Sequence, residues 1–298
     1  MGAQLWMSPL TGYRRNGTRF ESINSIFLKK ISVSLICEPI LCCKGSDDAS
    51  DAHYALTQRD FDITAVVSEK GEIIGQVERE KLKQGKVYDY ISRIEKTSCI
   101  DDKISLVELL EILKDDLFKY VTNDDKIVAI ITRADLNKPL PRTYFFGVIS
   151  LVEMHLNFWI TYYFPENQWQ QYVNSKRMDG AHSIFEERKG LNDSISLLDC
   201  IQFCDKKSIL RNNSEFLSIF KFSSKSKFDS FMKFIEKIRN EIAHSQNSII
   251  SGLEWEDFVH TLSFSRTFLT LSDAKLEEDY RKKAEQFKDD MLVSIKVS

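Results

Sequence analysis

Arg239-Asn240-Glu241-Ile242-Ala243-His244 gathers a permanent cation, an amide and an imidazole within about one and a half helical turns. Asn240 and His244 are four apart and share a helix face, and the long Arg239 side chain reaches the same edge. A cation that holds a phosphate, beside a group that moves protons near neutral pH, suits attack on an RNA phosphodiester. The same residues also suit an ordinary helix end, with Arg239 in a salt bridge and His244 at the C-terminal carbonyls.

The elements that must position this run are helical. After Pro141 the β signal vanishes, and segments 143–164, 166–188, 192–205, 213–243 and 253–291 read as helices with short connections. Phe228, Phe231, Phe234/Ile235, Ile238 and Ile242 make one apolar stripe, the expected core face, which Asn240 and His244 do not share. Between Asp205 and Asn240 nine Lys/Arg face four acids, so this stretch offers either a local basic surface or a solvated helix face. The segment Tyr144 to Phe164 has the length of a membrane span, but Glu153, His155 and Asn157 near its middle favour a buried bundle helix.

With 298 residues and 43% hydrophobic composition the chain can bury two cores, and a formal charge of −3 excludes a wholesale basic nucleic-acid binder. The six cysteines lack CxxC or metal-ligand spacing, with no metal site expected, and Cys42-Cys43 and Cys200-x3-Cys204 read as buried small hydrophobes in a reduced cytosol. Residues 1–30 lack the apolar core of a signal peptide and read as an N-terminal extension; the expected location is cytoplasmic. His53, His155, His182 and His260 show no partner spacing and are assigned to packing or surface.

Residues 31–140 have a different grain. The β-branched runs ISVSLI, DITAVV, EIIGQV, FKYVT and KIVAIIT alternate with helical SDDASDAHYALTQRD and ISLVELLEILKDD. Glu69-Lys70-Gly71 and Asn123-Asp124-Asp125 are tight turns between paired strands. The order strand, helix, strand, turn, strand thus occurs twice, an internal repeat whose halves can bury their sheets against each other.

The second repeat closes Ala129-Ile130-Ile131-Thr132-Arg133-Ala134-Asp135, and Ile36-Cys37-Glu38-Pro39 stands at the opening of the first. This region resembles a tandem CBS (cystathionine-β-synthase-like) domain pair. The resemblance implies a site for an adenine nucleotide or related regulator. There Asp135 accepts ribose hydroxyls, Thr132 and helix N-terminal amides hold phosphate, Arg133 adds charge, and Ala129 leaves room. The first repeat has Glu78-Arg79-Glu80-Lys81 at the matching place, so at most one such site is expected. Thr132 and Asp135 equally suit a helix N-cap and first-turn acid.

Arg-Asn-x-x-x-His on a late helix of an all-α bundle resembles the HEPN (higher eukaryote and prokaryote nucleotide-binding) superfamily, over residues 141–298. The whole chain is then an α+β CBS pair followed by a HEPN-like helical bundle. The resemblance implies a metal-independent endoribonuclease that needs no cofactor for catalysis. His244 is its general base or acid, Arg239 the transition-state cation, Asn240 an orienting group and Glu153 an auxiliary acid. It also implies a homodimer whose cleft takes RNA, gated by the nucleotide, in stress or anti-phage defence. The competing expectation is a non-catalytic CBS–HEPN scaffold dimer that binds adenine nucleotide and a partner protein or RNA; an antitoxin-like or nucleotidyl-modified bundle is a third.

Overall fold

The structure, a computed structural model, describes residues 19–190, 195–243, 248–249 and 253–294, with side chains up to Asp279. The chain divides into two compact units. One is Phe27–Leu140; the other is Pro141 onward together with the described residues up to Ile26. Helix α1 (Phe20–Lys30), within the residues read from the sequence as an N-terminal extension, starts within the second unit.

The α+β unit holds strands β1 (Glu38–Pro39), β2 (Cys42–Lys44), β3 (Ile63–Val67), β4 (Ile73–Glu78), β5 (Cys99–Asp101), β6 (Phe118–Asn123) and β7 (Lys126–Thr132). Helix α2 (Ala49–Gln58) connects β2 to β3, and α3 (Leu106–Ile112) connects β5 to β6. Each repeat thus pairs two strands in parallel across a helix and adds a third by a tight antiparallel turn. Asp124 and Asp125 both have positive φ, the conformation a two-residue hairpin demands. The helices start on local side-chain caps. Asp48 accepts from the amides of Ser50 and Asp51, and Ser105 forms a reciprocal capping box with Glu108.

The run ISVSLI was expected to open the first repeat as a strand; it instead forms a bridge at Ser32 and a 3-10 turn over Val33–Leu35. Its apolar residues serve as plugs, with Val33 and Ile36 fully buried. The opening strand is the short β2, while β1 crosses to the second repeat and pairs with β7. Pro39 is tolerated there because β1 is an edge.

Gly75 in β4 permits a close approach. A β-carbon there would lie 2.6 Å from the Ser92 carbonyl oxygen and against the Ile91 side chain. Gly75→Ala is expected to cost about 1–3 kcal/mol of stability, the usual penalty for overpacking, read as a lower denaturant midpoint.

The helical unit is built from α4 (Pro139–Tyr163), α5 (Ser175–Lys189), α6 (Phe203–Leu210), α7 (Ser214–Ile219), α8 (Lys225–Ala243) and α9 (Trp255–Ser294). Pro139 and Pro141 sit inside the first turn of α4, where a missing N–H costs nothing. Two segments read as single helices are broken. Residues 166–188 divide into a 3-10 stretch and α5, with positive φ at Glu166 and Asn167. Residues 213–243 divide into α7 and α8, with Lys221 left-handed between them. The 192–205 segment, in its described part, is a 3-10 turn at Leu197–Cys200 followed by α6.

The core is aromatic: Trp159, Phe216, Phe220, Phe228 and Phe268 are fully buried, with edge-on and tilted ring contacts such as Phe220–Phe268 at 5.0 Å. No helix among the described residues is long and apolar enough to cross a membrane. The polar residues inside α4 explain why: His155 is fully buried, and its Nδ1 lies 2.7 Å from the Ser272 hydroxyl, which also accepts from Trp159.

Asp273, next along α9, accepts a hydrogen bond from the Phe20 amide at the start of α1. Burial pushes its carboxyl up to about 6, against smaller lowering effects from the Phe20 amide and Arg19. Between the ordinary aspartate range and pH 6 the folded state keeps this proton and the unfolded chain does not, so the Asp273 contribution to stability falls as pH rises through that window. Asp273→Asn is expected to remove this slope and raise the melting temperature at pH 7, with little change at pH 4, in melts of the full chain.

Of the four cysteines expected to be buried, Cys200 is; Cys42 is exposed and Cys43 and Cys204 are half-buried, which corrects that expectation. The two parallel pairings leave Cys42 on the edge strand β2, where one side of the chain faces solvent.

Candidate functional site

Helix α8 places the opening motif as its apolar stripe dictates. Phe228, Phe231, Met232, Ile235 and Ile238 are buried, while Arg239 and Asn240 are exposed. His244 lies outside the described residues. The helix end just before it is capped from α4: an Arg142 Nη donates to the carbonyls of Glu241 and Ile242, at 3.0 and 3.3 Å. A cation at these carbonyls answers both their unpaired lone pairs and the negative end of the helix dipole. Sequence periodicity had no means of finding Arg142, since it lies about a hundred residues away in the chain.

Glu153 stands beside the motif. One of its oxygens lies 2.5 Å from Lys206 Nζ on α6, and the other lies 3.5 Å from Arg239 Nε on α8. Arg239 is about half exposed, Glu153 about a quarter, and Lys206 is buried. Lys206 had been counted in a basic surface run, and it is an interior group instead. One α4 turn further on, Asn157 donates to Asp199 at 3.1 Å, and its own oxygen is buried without a partner among the described residues. A cavity of about 300 Å³ opens along this face, lined by Ser150, Glu153, Met154, Asn157, Asp199 and Lys206. Three helices thus converge two cations on one carboxylate at the edge of an open cavity. Asp199 lines the same cavity, so the cavity itself carries two carboxylates and one ammonium, and the positive excess of the Lys206–Glu153–Arg239 cluster lies at Arg239, outside that lining.

In the α+β unit the residues of the second repeat come together at the end of β7. Asp135 is buried, and its Oδ2 accepts from the Thr132 amide at 2.7 Å and the Thr132 hydroxyl at 3.1 Å. Its Oδ1 lies 2.9 Å from Lys138 Nζ, which also reaches Glu38 and the Ile36 carbonyl, each at 2.5 Å. The Thr132 hydroxyl in turn accepts from the Ala134 amide. This is a reciprocal capping box with a lysine added, and it occupies both carboxylate oxygens. Arg133 donates to the Leu113 and Lys114 carbonyls, both at 3.0 Å, and so caps α3. Ala129 is buried in β7 between Val121 and Pro39.

The first repeat matches by register: Glu78 pairs with Ile63 as Thr132 pairs with Phe118. There the polarity is inverted, and Lys81 bonds Glu78 at 2.6 Å. A separate cavity of about 410 Å³ lies beside α2; its charged lining is Asp47, Asp48 and Asp51 with Arg59. An excess of carboxylate repels phosphate. Among the described residues no group of His, Cys, Asp and Glu is arranged to hold a metal ion.

No protein-family model matches the chain. No curated protein sequence matches it either. Among solved structures, CBSX2 in complex with AMP is 16% identical over 38% of this chain and 98% of that one, with a TM-score of 0.33. CbpB in complex with c-di-AMP is 15% identical over 40% of this chain and 89% of that one, also at 0.33. A conserved protein from Pyrococcus horikoshii is 18% identical over 36% of this chain and 90% of that one, at 0.32.

Proposed function

We propose that the helical unit cleaves RNA without a metal, at a site built on Arg239, Asn240 and His244, and that the α+β unit binds an adenine nucleotide or related ligand that controls it. The observation that carries the reading is the exposed Arg239–Asn240 pair, set off the core face of α8 and held by Glu153. In this reading His244 takes the proton from a ribose 2′-hydroxyl, and the freed oxygen attacks the adjacent phosphorus. The 5′-oxygen leaves with a proton, giving a 2′,3′-cyclic phosphate and a 5′-hydroxyl. Arg239 stabilises the added charge on the phosphorus, and Asn240 orients a phosphate oxygen.

A homodimer supplies a second imidazole, so that one acts as base and the other as acid, and a cytoplasmic stress or anti-phage role follows from an RNA target. The CBS-like repeat order and the Thr132-x-x-Asp135 run support the nucleotide half. The second reading is a non-catalytic regulatory dimer; in either reading, both Asp135 oxygens are already satisfied within the chain, which favours a capping role for Asp135 over a ribose contact.

The deciding experiment incubates the protein with a structured RNA in a metal chelator, with and without AMP, ATP or c-di-AMP, and analyses the product ends. Cyclic phosphate termini whose yield changes with nucleotide support the proposal. Intact RNA under every condition leaves the non-catalytic dimer.

A further inference from the structure

We infer that Lys206 is a positioning residue that keeps Arg239 available to an RNA phosphate by neutralising Glu153 from the interior. The inference rests on the reading of the helical unit as RNA-cleaving and deepens it.

Taken alone, the Arg239–Glu153 pair at 3.5 Å is a neutral ion pair, and a guanidinium so matched has little charge left for a substrate. The Glu153 carboxylate is shared, however. Its Oε1 is taken by Lys206 at 2.5 Å, and only its Oε2 faces Arg239. The two cations and one carboxylate in direct contact sum to +1; the Asp199 carboxylate, which accepts from Asn157, lines the cavity beside Glu153 and Lys206, so the exposures of the two cations decide where positive charge can act. The Lys206 side chain is 2% exposed and cannot reach a polyanion, whereas Arg239 is 45% exposed. The excess charge therefore acts through the guanidinium, which keeps unshared N–H groups in a fixed fork.

Among the described residues the partner of the Lys206 ammonium is Glu153. An ammonium is costly to bury, and here a single carboxylate compensates it. Its neighbour Asp205, also buried, is anchored by Arg177 at 2.7 Å, which fixes the α6 turn that aims Lys206 at Glu153. Glu153 acts as a bridge with one oxygen for each cation: it orients Arg239 without cancelling it.

The test measures binding of a single-stranded RNA with 2′-O-methyl sugars, which lacks the nucleophile and cannot be cleaved, across a salt series. Lys206→Met leaves Glu153 to neutralise Arg239. It is expected to weaken binding about three- to tenfold and to flatten the salt slope by about 0.7, one single-strand phosphate contact. Glu153→Gln moves the other way in affinity, while on cleavable RNA it lowers kcat because the guanidinium loses its guide. Lys206→Arg keeps the charge and retains the wild-type slope. The Lys206→Met/Glu153→Gln double variant removes both partners, so no charge is left buried alone, and it restores the slope; with Glu153→Gln it decides the matter if Lys206→Met does not fold.

A folded Lys206→Met with the wild-type slope overturns the inference. So does a double variant as flat as the single, or a loss of affinity in Glu153→Gln. Because binding is read on RNA that cannot be cut, absence of cleavage on ordinary RNA removes the ribonuclease reading alone. An unchanged slope removes the Lys206 role alone.

Discussion

Arg239→Ala is expected to lower RNA cleavage in chelator about 10²–10³-fold, the scale of losing one preorganised donor to a transition-state oxygen. His244→Ala is expected to lower it about 10²–10⁴-fold, as for a general acid or base. Neither loss should trace to unfolding. The Arg239–Glu153 pair is half exposed, and pairs of that kind contribute about 1 kcal/mol or less. Melting temperatures of Arg239→Ala and wild type should therefore nearly coincide.

Arg239→Lys sharpens the result, since it retains the charge and loses the planar fork. It should recover binding of uncleavable RNA more fully than it recovers kcat. Cleavage of equal rate in wild type, Arg239→Ala and His244→Ala would point to a contaminating nuclease and end the catalytic reading of this motif.

Asp135→Ala should have the largest effect on the α+β unit, with two separable parts. The first needs no ligand. The substitution removes the acceptor for the Thr132 amide and hydroxyl and the interior partner of Lys138, a cost of about 2–4 kcal/mol. Asp135→Asn keeps an acceptor oxygen for Thr132 and should lose less.

The second part is ligand-dependent. If the carboxylate turns from Thr132 to a ribose on binding, AMP or ATP at about a hundred times its dissociation constant stabilises wild type by about 2.7 kcal/mol. Asp135→Asn would lose most of that increment. A thermal-shift series on wild type, Asp135→Asn and Asp135→Ala separates the two. Equal nucleotide shifts in wild type and Asp135→Asn would leave Asp135 a capping residue only.

The capping box also shows how far a local pattern can be read. Thr132-x-x-Asp135 predicts a helix start from spacing alone, and that start is present, because a reciprocal cap needs only residues three apart. What the pattern could not carry is Lys138 joining Asp135 to Glu38, since Glu38 arrives on β1 from the opening of the other repeat. The ISVSLI run failed for a related reason. Its β-branched residues fit a strand, but burial of Val33 and Ile36 bends the chain into a 3-10 turn instead. The break at Lys221 was equally hidden, because helical propensity continued across it without glycine or proline, whereas the irregular Glu166–Asn167 follows Pro165 directly.

By itself the sequence determined the division into a β–α–β–β repeat and a helical half, the helix cap at Thr132 and Asp135, and the solvent face of α8. Each of these follows from a period of two or about 3.6 residues, or from a side chain bonding its own near backbone. Tertiary structure alone decided that Glu153 meets both Lys206 and Arg239, that His155 belongs to Ser272 and the core, and that Arg142 closes the end of α8. These partners come from separate helices, and no local period encodes a meeting set by how three helices cross. The motif was legible because its residues are neighbours; the burial of Lys206 beside Glu153 was not, because a buried lysine reads in a sequence like one on the surface.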